Sequence, residues 1–224
     1  MNNPVWTPSQ KQIDRSQMTK FIKYVNLSHH LSLKNYDDLY SWSIQDIPSF
    51  WESVWEFCEV KYSTPYSEII DDTSKMPGAK WFTGSQLNYA ENLLRFKDSK
   101  PAIIFKGENQ NPSILTYHDL NEEVKKVAYA LRNMGIVKGD RVAGFIPNMP
   151  EAVIAMLASA SIGAIWSSSS PDFGIKGVLD RFAQIEPKVL FAADGYFYNG
   201  KRFNSLEKLE GILKALPSIE NVVI

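Results

Sequence analysis

The residues most suggestive of chemistry fall between positions 167 and 202. The stretch GYFYNGK at 195–201 spells G-x-x-x-x-G-K, the spacing with which a loop wraps a phosphate. The next residue is Arg202, where that motif needs a Ser or Thr hydroxyl for magnesium. Three consecutive aromatics fill the loop that should close backbone amides around phosphate, and helix-forming sequence does not follow at once. A nucleoside triphosphate loop is therefore not expected here. A looser reading stays open: Lys201 and Arg202 side by side in a turn could hold a phosphate as point charges, or the turn is a solvated loop.

The second candidate is the serine run at 167–170, closed by Pro171, Asp172, Phe173 and Gly174. It lies just past a predicted strand end, where open α/β sheets place their ligands. No histidine is near it in sequence and no G-x-S-x-G surrounds any serine. A polar crevice wall is expected there rather than a nucleophile. No G-x-G-x-x-G follows any predicted strand, which argues against a nicotinamide enzyme. The three histidines and the single cysteine, Cys58, have no metal-ligand spacing. Adjacent carboxylates such as Asp71 and Asp72 read as solvated surface.

Elements that would position these residues are legible from about residue 101. Short apolar runs at 102–105 and 114–117 have strand character, with a polar turn between them. A helix follows, with Leu120, Val124, Val127, Ala128, Leu131 and Met134 on one face and Gly135 past its end. Strands are predicted at 141–146, 164–167 and 189–192, and a further one begins at Val222. Helices are predicted from about Pro150 to Gly163, over 175–185 and over 206–216. Strands alternating with helices of this length give an α/β fold with a parallel sheet and helices on its faces. A chain ending on a hydrophobic strand reads as truncated, because buried parallel strands continue into covering helices. Such an edge also makes the isolated chain prone to aggregate.

Residues 1–95 differ in texture. Five of the six tryptophans lie there: Trp6, Trp42, Trp51, Trp55 and Trp81. Thr7 and Pro8 read as the cap and first residue of a helix that places Ile13, Phe21 and Val25 near one face. A second helix carries Phe50, Trp51, Val54, Trp55 and Cys58 as one apolar stripe, read as packing rather than ligand stacking. Residues 63–84, rich in Pro and Gly, read as a surface loop.

Bulk properties narrow the partners. A formal charge of −1 with no long basic run gives no general attraction for nucleic acid or anionic membrane. The longest apolar stretch, 152–166, is too short to span a bilayer, and the N-terminus lacks a secretory layout. One cysteine excludes an internal disulfide and fits a reducing compartment. A soluble, cytoplasmic protein with small-molecule substrates is expected.

In order, LTYHDL at 115–120, ALRNMG at 130–135, KGDRV at 138–142, PNMPEA at 147–152 and IGAI at 162–165 resemble the opening of adenylate-forming acyl-CoA synthetases. Trp81-Phe82 with LNYAEN at 87–92 resembles the acetyl-CoA synthetase branch. Within it, WSSSSPDFG at 166–174, Arg181-Phe182, QIEPK at 184–188 and DGY at 194–196 resemble the acetoacetyl-CoA synthetases. The resemblance implies an N-terminal helical region over 1–95 and the first part of the AMP-binding domain over 96–224. It implies a ligase of lipid metabolism that uses ATP, Mg²⁺ and coenzyme A to join acetoacetate to CoA. Another short-chain acid, as in acetyl-CoA synthetase, and a non-catalytic CoA-binding module are the alternatives.

The family's Gly-rich phosphate loop, its adenine- and ribose-binding motifs and its C-terminal lysine have no match in this sequence. The chain alone is thus expected to form no acyl-adenylate, and no catalytic residue is assigned. The resemblance carries one site over. A basic turn that grips the nucleotide end of CoA matches Tyr198, Asn199, Gly200 and Lys201, with Tyr198 replacing an arginine and Arg202 sharing the load. Ser170, Asp172 and Phe173 match a segment near CoA.

Overall fold

The computed structural model describes residues 4–108 and 110–224, and contacts divide it into two compact units, Met1–Leu87 and Asn88–Ile224.

In the first unit, Ser9 starts α1 (Gln10–Arg15) through a capping box with Gln12, and Ser16 starts α2 (Gln17–Ser28) by accepting from the Thr19 amide. The single helix expected from Thr7 and Pro8 is therefore two. Ser16 is extended (φ −66°, ψ 150°), so its hydroxyl caps a new helix instead of continuing the old one. Phe21 and Val25 enter the core, while Ile13 stays exposed on α1. Asn35 and Asp46 cap α3 (Tyr36–Gln45) and α4 (Ile47–Phe57).

The aromatic stripe of α4 is packing: Phe50 lies edge-on to Phe21 at 5.9 Å, and Trp55 stacks on Phe82 at 4.4 Å. Cys58 is exposed just past its end. The loop expected over 63–84 contains an antiparallel pair, β1 (Glu68–Ile70) and β2 (Trp81–Thr83), with Ile70 opposite Trp81. Three-residue strands are too short to show a period of two. This pair is covered by rings, Phe82 meeting both Trp55 and Tyr66.

The second unit opens with α5 (Tyr89–Leu93) and a hairpin of β3 (Pro101–Phe105) and β4 (Ser113–Thr116). Thr116 and Asp119 form a capping box that starts α6 (Tyr117–Asn133). Then come β5 (Arg141–Phe145), α7 (Pro150–Ser161), β6 (Ile165–Ser169), α8 (Ile175–Phe182) and β7 (Val189–Ala192). A second hairpin, β8 (Gly195–Tyr198) and β9 (Lys201–Asn204), precedes α9 (Leu206–Ala215) and β10 (Asn221–Val223).

Four strands pair in parallel in the order β10-β7-β5-β6. Alternation along the strands loads both faces, as a buried parallel sheet requires. Val142, Val189 and Phe191 join the cluster of α6 and α7, whereas Ala143, Phe145, Leu190 and Ala192 join that of α8 and α9. The strands open with a polar clamp. Lys188, just before β7, meets Asp140, just before β5, at 2.8 Å, and Asp140 also accepts from the Val137 amide. The lysine bond, then the amide bond, holds the Asp140 carboxyl below its usual range.

Candidate functional site: a cleft at the sheet switch point and the hairpin beside it

Strand order decides where a ligand can enter. The chain leaves β5 toward β6 on one side, and leaves β7 toward β10 on the other. The gap between the carboxyl ends of β5 and β7 is thus the topological switch point, where open α/β sheets bind ligands. A cleft of about 500 Å³ opens there. Pro147 and Asn148 border it from the end of β5, and Asp194 and Tyr196 from the end of β7.

The serine run is one strand away from that point. Ser167, Ser168 and Ser169 belong to β6 itself, which extends two residues beyond the predicted end, and β6 is the outer strand. Only Ser170 lies past it. Its Oγ donates to the Asp172 carboxylate at 3.0 Å, and the Phe173 amide closes a turn on the Ser170 carbonyl at 3.2 Å. Arg181 lies over the Phe173 ring at 4.4 Å, and the Lys208 ammonium of α9 donates to the Pro171 carbonyl at 2.8 Å. The Ser169 hydroxyl is buried with no partner among the described residues.

The near-miss phosphate loop is a hairpin, not a loop leading into a helix. Tyr196 pairs with Phe203, Phe197 with Arg202 and Tyr198 with Lys201. Asn199 and Gly200 form the two-residue turn, both with positive φ (50° and 72°), the pattern of a primed hairpin turn. Aromatic residues favour a two-stranded ribbon over a phosphate-wrapping loop, and the Tyr196 and Phe203 rings stack at 5.2 Å.

Successive strand residues point to opposite faces. Lys201 and Arg202 therefore do not lie side by side. Arg202 borders the cleft with Phe197, and Lys201 shares the other face with Tyr198. Neither cation is ion-paired among the described residues.

The structure brings the two predicted segments together. Burial first, then the neighbouring Asp172 carboxylate, pushes the Tyr196 phenol up to about 12. Tyr196 is on the same face of the ribbon as Tyr198 and Lys201. Asp172 thus lies beside Tyr196 at the base of the hairpin.

Sequence reasoning missed Glu108. Its Oε1 accepts from the Asn199 amide at 2.9 Å and its Oε2 from the Gly200 amide at 2.8 Å. Nothing in the spelling of a carboxylate ninety residues upstream signals that contact. Lys208 was missed for the same reason: only the packing of α9 brings it to the serine turn. Among the described residues no group of three or more His, Cys, Asp or Glu is placed to hold a metal ion. No helix of the described residues is long and apolar enough to cross a membrane.

Residues 90–224 match the AMP-binding enzyme family, and residues 36–93 match the acetyl-coenzyme A synthetase N-terminus. The chain belongs to the AMP-binding enzymes. It is 45% identical over 98% of its length to the acetoacetyl-CoA synthetase of Macaca fascicularis. It is 44% identical over 95% to that of Rhizobium meliloti (strain 1021). The malonamoyl-CoA synthetase of Penicillium aethiopicum is 41% identical over 93%. The solved acetoacetyl-CoA synthetase of Streptomyces lividans superposes with a TM-score of 0.91 over 99% of the chain at 39% identity. The chain spans about a third of these relatives: 33%, 33%, 30% and 35%. It corresponds to an N-terminal portion of such an AMP-binding enzyme.

Proposed function

We propose that this chain is the N-terminal portion of an acetoacetate-CoA ligase and that its hairpin holds the nucleotide end of coenzyme A. The observation that carries the first part is the 45% identity to acetoacetyl-CoA synthetases over nearly the whole chain. In the reaction, a carboxylate oxygen of acetoacetate attacks the α-phosphorus of ATP, and pyrophosphate leaves. The CoA thiolate then attacks the acyl carbon, and AMP leaves. The first unit is the helical N-terminal module, and the second is the beginning of the AMP-binding domain.

Within this portion the chemistry is recognition. Lys201 offers a point charge to a CoA phosphate, and the Asn199 and Gly200 amides offer two converging donors. The exposed ring of Tyr198 is a stacking surface for the adenine. Ser170, Asp172 and Phe173 form the neighbouring wall, positioned through Lys208 and Arg181. Lys201 carries the charge alone, because Arg202 faces the cleft. Magnesium is assigned to no residue of this chain.

The likeness to a malonamoyl-CoA synthetase supports a second reading, a different short-chain acid in the same reaction. Acid-dependent exchange of pyrophosphate into ATP, measured on the protein that contains this chain, separates the two. Acetoacetate is expected to support exchange well above acetate or malonamate. Preference for another acid selects the second reading, and no exchange with any acid rejects both.

A further inference from the structure

The Asn199 and Gly200 amides that would meet a CoA phosphate already donate to Glu108. Both amides of the turn converge on one side, each on its own oxygen of a single carboxylate, at 2.9 and 2.8 Å. Consecutive residues with positive φ aim their N–H groups into a concavity that fits an anion. That concavity is already filled by an anion from the chain itself. Glu108 lies in the turn between β3 and β4, and it also borders the cleft. The carboxylate bonds to the amides and not to the cations: Lys201 and Arg202 have no ion pair among the described residues. The turn's donors are satisfied while the charge of the ribbon is not.

A phosphate group presents oxygens to paired amides much as a carboxylate does. It would satisfy the same two donors and gain Lys201 as well, provided that Glu108 leaves. If Glu108 stayed, two anions would meet in one concavity, which is unfavourable at contact distance. We propose that Glu108 is an internal competitor for the phosphate-binding turn, seated on the Asn199 and Gly200 amides until a phosphate displaces it. This rests on the assignment of the hairpin to a CoA phosphate, and it adds a threshold to that site. Weakly held anions leave Glu108 in place, and a ligand that also engages Lys201 displaces it.

The test is Glu108→Gln, which keeps the side-chain shape and removes the charge. Charge-assisted hydrogen bonds are about twice as strong as neutral ones, so the glutamine competes less. Titration of coenzyme A by calorimetry into the protein that contains this chain should give a Kd about fivefold tighter for Glu108→Gln than for the unaltered protein. In amide-resolved NMR spectra of the unaltered protein, the Asn199 and Gly200 signals should move when coenzyme A is added. They should also move on Glu108→Gln without any ligand. Equal or weaker binding by Glu108→Gln, with the unaltered protein binding normally, overturns the competitor and leaves the CoA assignment intact. In that case Glu108 shapes the turn. Asn199 and Gly200 signals that respond to inorganic phosphate but not to coenzyme A support the competitor and remove the CoA assignment. Signals that respond to neither overturn both.

Discussion

The parallel sheet and the β8–β9 hairpin are neighbours in one unit and are held together by opposite means. β7 is buried along its whole length, and Val142, Ala143 and Phe145 of β5 have no exposed surface. The hairpin residues 197–204 are all exposed. Its order comes from a ring stack and the carboxylate of Glu108. A buried strand loses several kcal/mol with one side chain, whereas an exposed ribbon held by polar contacts is adjustable at little cost in stability. On the proposed function the two have separate tasks: the sheet fixes where the switch point is, and the ribbon beside it carries the proposed ligand contacts.

The largest effect should come from the sheet. Phe145 is among the largest fully buried side chains, so Phe145→Ala should cost about 3–5 kcal/mol by chemical denaturation. A loss as small as that of a surface change would end the contrast. Gly144→Ala should cost about 1–3 kcal/mol, because a Cβ there would lie 2.7 Å from the Trp166 ring. Pairing it with Trp166→Leu should recover part of that loss, which a double-mutant cycle would show.

The clamp at the strand entrances comes next. Asp140→Asn should cost about 1–2 kcal/mol at neutral pH, the lower part of the range for hydrogen bonds to charged groups because the Lys188 partner is partly solvated. The folded Asp140 carboxyl lies below its usual value, so its contribution is complete above the unfolded carboxylate range, about pH 4. It is lost as pH falls through the lower folded value. Melting curves of Asp140→Asn and the unaltered chain should therefore converge in acid, and a constant gap down to pH 2 would contradict the clamp. Smaller still is Tyr196→Phe, expected to cost about 0.5–1 kcal/mol by removing a half-buried phenol hydroxyl beside Asp172. It should weaken coenzyme A binding more than it weakens the fold.

The same contrast explains what could be read in the sequence. Alternating apolar runs and helical faces gave the sheet strands and helices to within two or three residues, because burial imposes a period on the chain. Strand order imposes none, so the serine run was placed at a crevice although β6 is the outer strand. The two-strand pair at Glu68–Ile70 and Trp81–Thr83 was too short to carry a period. The break at Ser16 was hidden because serine caps and serine surface positions are spelled alike. At the candidate site the motif set Lys201 and Arg202 side by side, but alternation along β9 puts them on opposite faces. Glu108 was invisible, since a contact ninety residues away depends on the folded path of the chain.

The assignment of the hairpin is tested most directly by the affinity of the chain for coenzyme A with and without Lys201. Lys201 is exposed, so Lys201→Ala should leave the melting temperature unchanged. It should raise the Kd for coenzyme A by about three- to tenfold, and adding Arg202→Ala should change it little further, because Arg202 is on the opposite face. Unchanged affinity for coenzyme A, or a loss of ATP binding in its place, would contradict the assignment of this turn.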